Sequence, residues 1–510
     1  MKYLNKTIEY GLYLLVFTLS IQTRWIIKAG GLNGGYSEYL TFSLYGTDVL
    51  LILLLLMFVV RAAYSWIAGQ ARNDKVELAS RNGSFMYWFI GGLLAVGAVS
   101  GIFAVDQALA FYKLGWLVLG AGLFWLIVKA NYNRLKLLYG VLAGIFFQAA
   151  LGIWQFLSQS SFANKWLGLA SHNAADLGTS VIEAIGADGL GERWLRAYGG
   201  LDHPNIFGGM LAIGILLVIG QIIMMERENN FQFSLVEPGQ AIFNFQTIFN
   251  DKIFKIINWL LLPVFTAALF FSFSRAGWLA LAVALAVMMI IAVAGRNLKS
   301  QKSLAEIILI MGLAWFLLFS QYQNLIASRL GGEGRLEEKS TSERLTSYQE
   351  SWLMIKNNWI TGVGLGNYTL ALSRQTPGKN SFYYQPAHNV FMLVWSEVGI
   401  VGLLFFAGLL FAIARSSDAL AGATRQSLVE LRIREIAKFI PSEERDPRFP
   451  SVARNDKKEY RDSRNGIIIL IALIVIMSFD HWLWSLHFGV LFFWLVLGLA
   501  ASRERDEIDS

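Results

Sequence analysis

Residues 276–294 read AGWLALAVALAVMMIIAVA, a run without one charged side chain. As a helix rising 1.5 Å per residue it would extend about 28 Å, close to the thickness of the hydrocarbon core of a bilayer. In lipid only the chain itself can satisfy its peptide groups, so such a run is a helix and not an open strand. Comparable apolar runs lie at 49–67, 86–105, 135–157, 206–225 and 467–477. Working outward from them predicts about twelve spans, at roughly 8–25, 48–68, 84–104, 108–128, 135–158, 205–225, 254–274, 276–295, 304–322, 388–414, 466–484 and 486–502. The expected fold is all-α: a single polytopic membrane domain over 1–510 with a large, partly helical extracytoplasmic loop.

Composition agrees. The 510 residues are 55% hydrophobic and 15% charged, where a soluble enzyme carries about a quarter charged. Lys2 and Lys6 before the first run imitate a signal peptide, but no small-residue cleavage site follows and many spans do, so the run reads as a retained helix. The absence of cysteine excludes disulfides, thiol catalysis and thiolate metal sites. The net charge of +7 reflects membrane orientation, not nucleic acid. With the N-terminus inside, about 28 basic residues fall in inner connections and about 13 in outer ones, the positive-inside pattern. Both termini are then expected in the cytoplasm of a multi-pass protein.

Three segments stand outside the spans: an outer loop at 159–204, a larger outer loop at 323–387 and a charged inner loop at 415–464. The inner loop holds 12 basic and 9 acidic residues; its first part has helical apolar spacing suited to a membrane surface, although a solvated linker fits as well. In the large loop, 341–357 reads as a helix, with Ser340 and Glu343 spaced as a capping box and Arg344, Tyr348, Trp352 and Ile355 on one face. Gly362, Gly364 and Gly366 follow. They fit either a turn back to the membrane or a backbone that a phosphate or sugar approaches closely.

His388 comes just after Pro386, at the start of a membrane helix. The partial positive charge there favours a neutral imidazole able to accept a proton, and it attracts phosphate. Arg275 stands in a connection too short to be solvated, so it sits at the outer interface, either snorkelling to headgroups or meeting an anion. Arg196 precedes His203-Pro204-Asn205, where Asp202 or Asn205 would cap the next helix. Three arginines and a histidine thus share one membrane face. Guanidinium groups suit bidentate phosphate recognition, and a membrane-bound pyrophosphate fits such a cluster. The outer loops show no HExxH and no paired-acid motif, so no metal site is expected; the arginines would stabilise the leaving group's charge. Asp480-His481 and His487 stand at a short outer turn and are not counted as catalytic.

These motifs together resemble the O-antigen ligase and polymerase family. Ser274-Arg275-Ala276-Gly277-Trp278 looks like its serine–arginine turn. Arg344, Trp352 and Gly362-Val363-Gly364 resemble its large-loop segment. His388-Asn389 with Gly399 and Gly402 matches the histidine–asparagine/double-glycine pattern of the ligases, and Arg196 with His203-Pro204-Asn205 resembles the helix start after the preceding loop. The resemblance covers 190–405, and the twelve-span plan extends it.

The resemblance implies an inner-membrane glycosyltransferase of the GT-C type, with no metal or other cofactor. It would move a glycan, with inversion, from undecaprenyl pyrophosphate to a glycan, glycolipid or protein acceptor. Arg275 and Arg344 would bind the pyrophosphate, and His388 would activate the acceptor hydroxyl. Arg196, His203, Asn205, Asn389, Trp352 and Gly364 would line the substrates. The bilayer is a partner and nucleic acid is not. Ligase and polymerase stay unseparated. A solute transporter is the rival reading, with Arg61, Lys113, Glu397 and Asp480 as its available polar residues, although they form no clear midplane constellation.

Overall fold

Short polar side chains mark where helices of this chain begin. The side-chain oxygens of Asp106, Asn133, Ser274 and Asn297 each accept the N–H three residues on, satisfying a donor that the first helical turn leaves open. The computed structural model describes residues 1–70, 81–185, 191–232, 245–331, 335–437 and 455–502. In chain order the helices are α1 (Lys2–Thr18), α2 (Gly46–Gln70), α3 (Arg81–Ile102), α4 (Gln107–Lys129), α5 (Arg134–Ser158), α6 (Pro204–Gln232), α7 (Phe245–Ser272) and α8 (Arg275–Ala294). They continue as α9 (Leu298–Gln321), α10 (Gln323–Gly331), α11 (Arg335–Asn357), α12 (Tyr368–Gln375), α13 (Val390–Ala437), α14 (Asn455–Phe479), α15 (Trp482–Ser485) and α16 (His487–Ala501).

Nine described helices are long and apolar enough to cross a membrane, and the shorter apolar stretches Gly466–Phe479 and His487–Ala501 accompany them. The chain is an all-α polytopic membrane protein. α6 is the most enclosed span, packed on α7 and α8, whereas α2 and α9 turn most of their apolar surface outward, as lipid-facing helices do. Close approach rather than apolar area sets the crossing of α6 and α8. A Cβ on Gly277 would stand 2.8 Å from the Gly208 carbonyl oxygen, so the backbones touch where only glycine fits. That contact brings the turn before α8 against the first turns of α6.

The segments outside the spans gather at one end of the bundle. β1 (Arg24–Lys28) pairs antiparallel with β4 (Phe42–Tyr45), and β2 (Gly31–Leu32) with β3 (Gly35–Tyr36). The 159–204 loop carries a hairpin of β5 (Val181–Ile185) and β6 (Gly191–Leu195), and the 323–387 loop carries α10, α11 and α12. Asn33 donates to the Lys379 carbonyl at 2.9 Å, Thr23 to the Trp166 carbonyl at 2.5 Å, and Arg335 meets Glu183 at 2.7 Å. These loops are one packed layer.

Two local expectations are corrected. The first helix stops at Thr18, and Trp25-Ile26-Ile27 belong to a strand instead of extending the span toward residue 25. α11 begins by Arg335, so Ser340 is inside the helix and the expected capping box does not form there. The inner loop's helix runs within α13 to Ala437; its side chains beyond Ser416, and residues 438–454, lie outside the described residues, and with them the expected membrane-surface segment.

α13 is broken at Gly399, whose φ of 72° and ψ of −178° leave the helical region. The 359–367 stretch docks into this break: Ile400 N–H donates to the Trp359 carbonyl at 2.9 Å, Val363 N–H to Ser396 at 2.9 Å and Gly364 N–H to Glu397 at 3.0 Å. A Cβ on Gly399 would collide with the Ile360 carbonyl. Gly399→Ala combines a left-handed φ with that backbone clash and is expected to lower the thermal midpoint of detergent-purified protein by several degrees, read against Gly115→Ala, where the added carbon meets open space. An unchanged midpoint would show that the break is not a packing requirement.

Candidate functional site

The turn between α7 and α8 is buried and polar. Phe273 adopts a left-handed φ of 48°, unusual for an aromatic residue and costing of order 1–3 kcal/mol. Its carbonyl consequently faces two buried guanidinium groups. Arg196 donates through Nη2 to Phe273 O at 3.2 Å and through Nε to Ser272 O at 2.9 Å, and Arg329 donates through Nε to Phe273 O at 3.1 Å. Arg275 follows as the first residue of α8, half-buried beside this turn.

Arg196 also donates to Asn205 Oδ1 at 2.9 Å, and Asn205 Nδ2 donates to Asp480 Oδ2 at 3.1 Å. The start of α6 is capped by His203, not by Asp202 or Asn205: its Nδ1 accepts the Asn205 N–H at 3.1 Å, and its Nε2 pairs with Ser180 Oγ at 2.9 Å. An accepting Nδ1 requires a neutral ring. Burial, with the Arg196 charge beside it, pushes His203 down to about 3.

His388 stands two residues before α13. Asn389 caps that helix through Oδ1 to Met392 N–H at 3.0 Å and ties it to α14 by donating to the Ser478 carbonyl at 3.2 Å. The ring nitrogen Nδ1 of His388 is enclosed and without a hydrogen-bond partner. His388 and His481 rings lie 5.2 Å apart, and ligand-capable atoms of His388, Asp480 and His481 all fall within 4.8 Å of one another. Burial holds His388 below its usual value; Asp480 opposes this and Arg344 adds to it. Burial pushes His481 down to about 4. For Asp480 burial acts upward, yet the surrounding imidazoles and the His481 N–H, donated to Oδ1 at 2.8 Å, outweigh it and hold the carboxyl low. Burial thus favours the neutral form of His203, His388 and His481 around the Asp480 carboxyl.

The fold therefore brings together Arg196, Asn205, His203, Asn389 and His388, with Arg275 on the adjoining turn and Arg344 within electrostatic reach of His388. No hydrogen bond or ion pair holds the Arg344 guanidinium among the described residues, and Tyr348, one turn on, reaches the His388 carbonyl at 3.4 Å. Trp352 and Gly364 lie elsewhere. Trp352 packs edge-to-face on Trp395 at 6.0 Å, and Gly364, with φ of 103°, is pressed on Ala104 in the docking segment of α13. Of the two readings left open for the glycines, the tight turn is what the backbone does here.

Sequence reasoning set Asp480-His481 at a short outer turn without counting them as catalytic, and left out Arg329. It also missed that the fold assembles a cluster of metal-ligand type, because no local motif announces it. His487 does not face water: it is buried against Asp48 at 2.6 Å and stacked on Tyr45 at 3.7 Å, tying α16 to α2.

No curated protein matches the chain. Residues 259–407, which contain Arg275, Arg344 and His388, match the family model described as O-Antigen ligase, so this segment is similar to that family.

Proposed function

We propose that this protein transfers a glycan from undecaprenyl pyrophosphate to an acceptor hydroxyl at the extracytoplasmic face of the inner membrane, with both termini in the cytoplasm. The observation that carries the reading is the hydrogen-bonded chain from the Ser272–Phe273 turn through Arg196 and Asn205 to Asp480, whose carboxylate lies within 4.8 Å of a His388 ring nitrogen. Three helix starts, those of α6, α8 and α13, meet there and add partial positive charge where an anion would sit. The excess of Lys and Arg in the inner connections supports the orientation.

In this reading Arg275 and Arg344 clamp the diphosphate, and Arg196 acts as a positioning residue that holds the turn and Asn205. The acceptor oxygen attacks the anomeric carbon from the face opposite the diphosphate. Its proton passes to the neutral His388. The bond from the anomeric carbon to the phosphate oxygen breaks, and undecaprenyl pyrophosphate departs with the electron pair. A base of this kind contributes about 10²–10⁴-fold, and a charge donor on the leaving group about 10²–10³-fold. A polymerase uses the same step with a growing chain as acceptor.

Purified protein supplied with a lipid-pyrophosphate glycan and candidate acceptors is expected to release undecaprenyl pyrophosphate and extend or cap an acceptor. His388→Ala should lose about 100-fold or more in kcat. No transfer with any acceptor, alongside solute uptake in proteoliposomes, would instead support a transporter. Because His388 is held below 6.5, kcat/KM should stay level as pH falls from 8 to 6.5 and decline only below that as the ring gains its proton. A decline centred above 7 would contradict the assignment.

The two arginines should separate by assay. Arg344→Ala should cut transfer about 100-fold at an unchanged thermal midpoint. Arg196→Gln should lower the midpoint as well, since each buried carbonyl left without its donor costs about 1–3 kcal/mol. Equal behaviour of the two would refute the division of roles.

A further inference from the structure

The His388, Asp480 and His481 cluster has a chemistry that proton transfer does not require. Two imidazoles and one carboxylate form the ligand set that takes zinc or iron(II) in three-ligand sites with an open fourth position. Asp480 and His481 are buried, and the enclosed His388 Nδ1 has no partner. His481 and Asp480 are also oriented from behind, as metal ligands are. His481 Nδ1 pairs with Ser485 Oγ at 2.7 Å, which leaves Nε2 to face the cluster. Asp480 is steadied by Asn205 at 3.1 Å, itself held by Arg196, and the His388 backbone carbonyl accepts from Tyr348.

We propose that His388, Asp480 and His481 form a binding site for a first-row transition-metal dication of the zinc type, and that its occupancy shuts off transfer. Ligand atoms within 4.8 Å of one another must draw in by about 1 Å to share an ion at bonds of about 2.0–2.2 Å. The consequence for catalysis follows from the imidazole itself. A neutral ring has one nitrogen with a free lone pair. A metal bound there leaves His388 nothing with which to accept the acceptor's proton. The metal thus competes with the proton, and the arginines keep the diphosphate. This second clause rests on His388 being the base; the binding site does not.

The chain makes a direct measurement possible, because it has five histidines and no cysteine, so thiolate binding cannot intervene. Full-length protein in detergent, stripped with a chelator and dialysed, is titrated with Co²⁺ while the visible d–d absorption is recorded. One equivalent per chain is expected, displaced by Zn²⁺. His481→Ala and Asp480→Asn should each weaken binding at least tenfold, and His172→Ala should not change it. X-ray absorption of the Zn²⁺-loaded native chain supplies a readout free of folding effects: a first shell of N and O with imidazole outer-shell scattering is expected. No saturable Co²⁺ band, or a band unaffected by both cluster variants, overturns the site. Binding without loss of transfer overturns the competition alone. A metal-free protein that binds Co²⁺ as stated but transfers no glycan contradicts the proposed function and leaves the site standing.

Discussion

One amide side chain joins the two halves of this site. Asn205 accepts from Arg196 and donates to Asp480, so a guanidinium that holds the α7–α8 turn and a carboxylate that faces His388 are fixed through the same group. An amide can do this because it carries an acceptor and two donors on one rigid plane. A carboxylate at 205 would repel Asp480, and an ammonium would repel Arg196.

The surrounding architecture serves the joint. Hydrogen-bonded helices are what lipid permits, and where the backbone departs from them other chain groups satisfy it. There the strained Phe273 carbonyl is stabilised by two arginines, and the broken α13 by the docked 359–367 segment. The Phe273 turn lies next to the residues that would touch substrate, whereas the Gly399 break lies nine residues into α13. Burial lowers the proton affinity of His203, His388 and His481, which favours the neutral ring that both proton transfer and metal binding need.

Much of this was legible in the residues. Runs such as 276–294 fix a span because no alternative satisfies the backbone in lipid, and the ends of most spans fell within a few residues of the polar caps. Arg196, Asn205, Asn389 and His388 were legible because polar groups at the start of an apolar helix need a reason to be there. What failed was long-range. Asp480 comes near His388 only through the packing of α14 on α13, and His487 finds Asp48 across 439 residues, so neither partner leaves a local trace. Trp25-Ile26-Ile27 looked like helix because apolar composition alone cannot tell a strand from the end of a span. The glycines at 362, 364 and 366 signalled backbone freedom correctly, but the sequence does not say what approaches them, and here it is the chain itself.

The account turns on where a lipid-linked diphosphate comes to rest. Cryo-electron microscopy of the protein in nanodiscs with undecaprenyl pyrophosphate would locate it. The account predicts paired phosphate density between the Arg275 and Arg344 side chains, within hydrogen-bonding reach of both and beside His388. Density at another face of the bundle, or at this end but out of reach of both guanidinium groups, would contradict it.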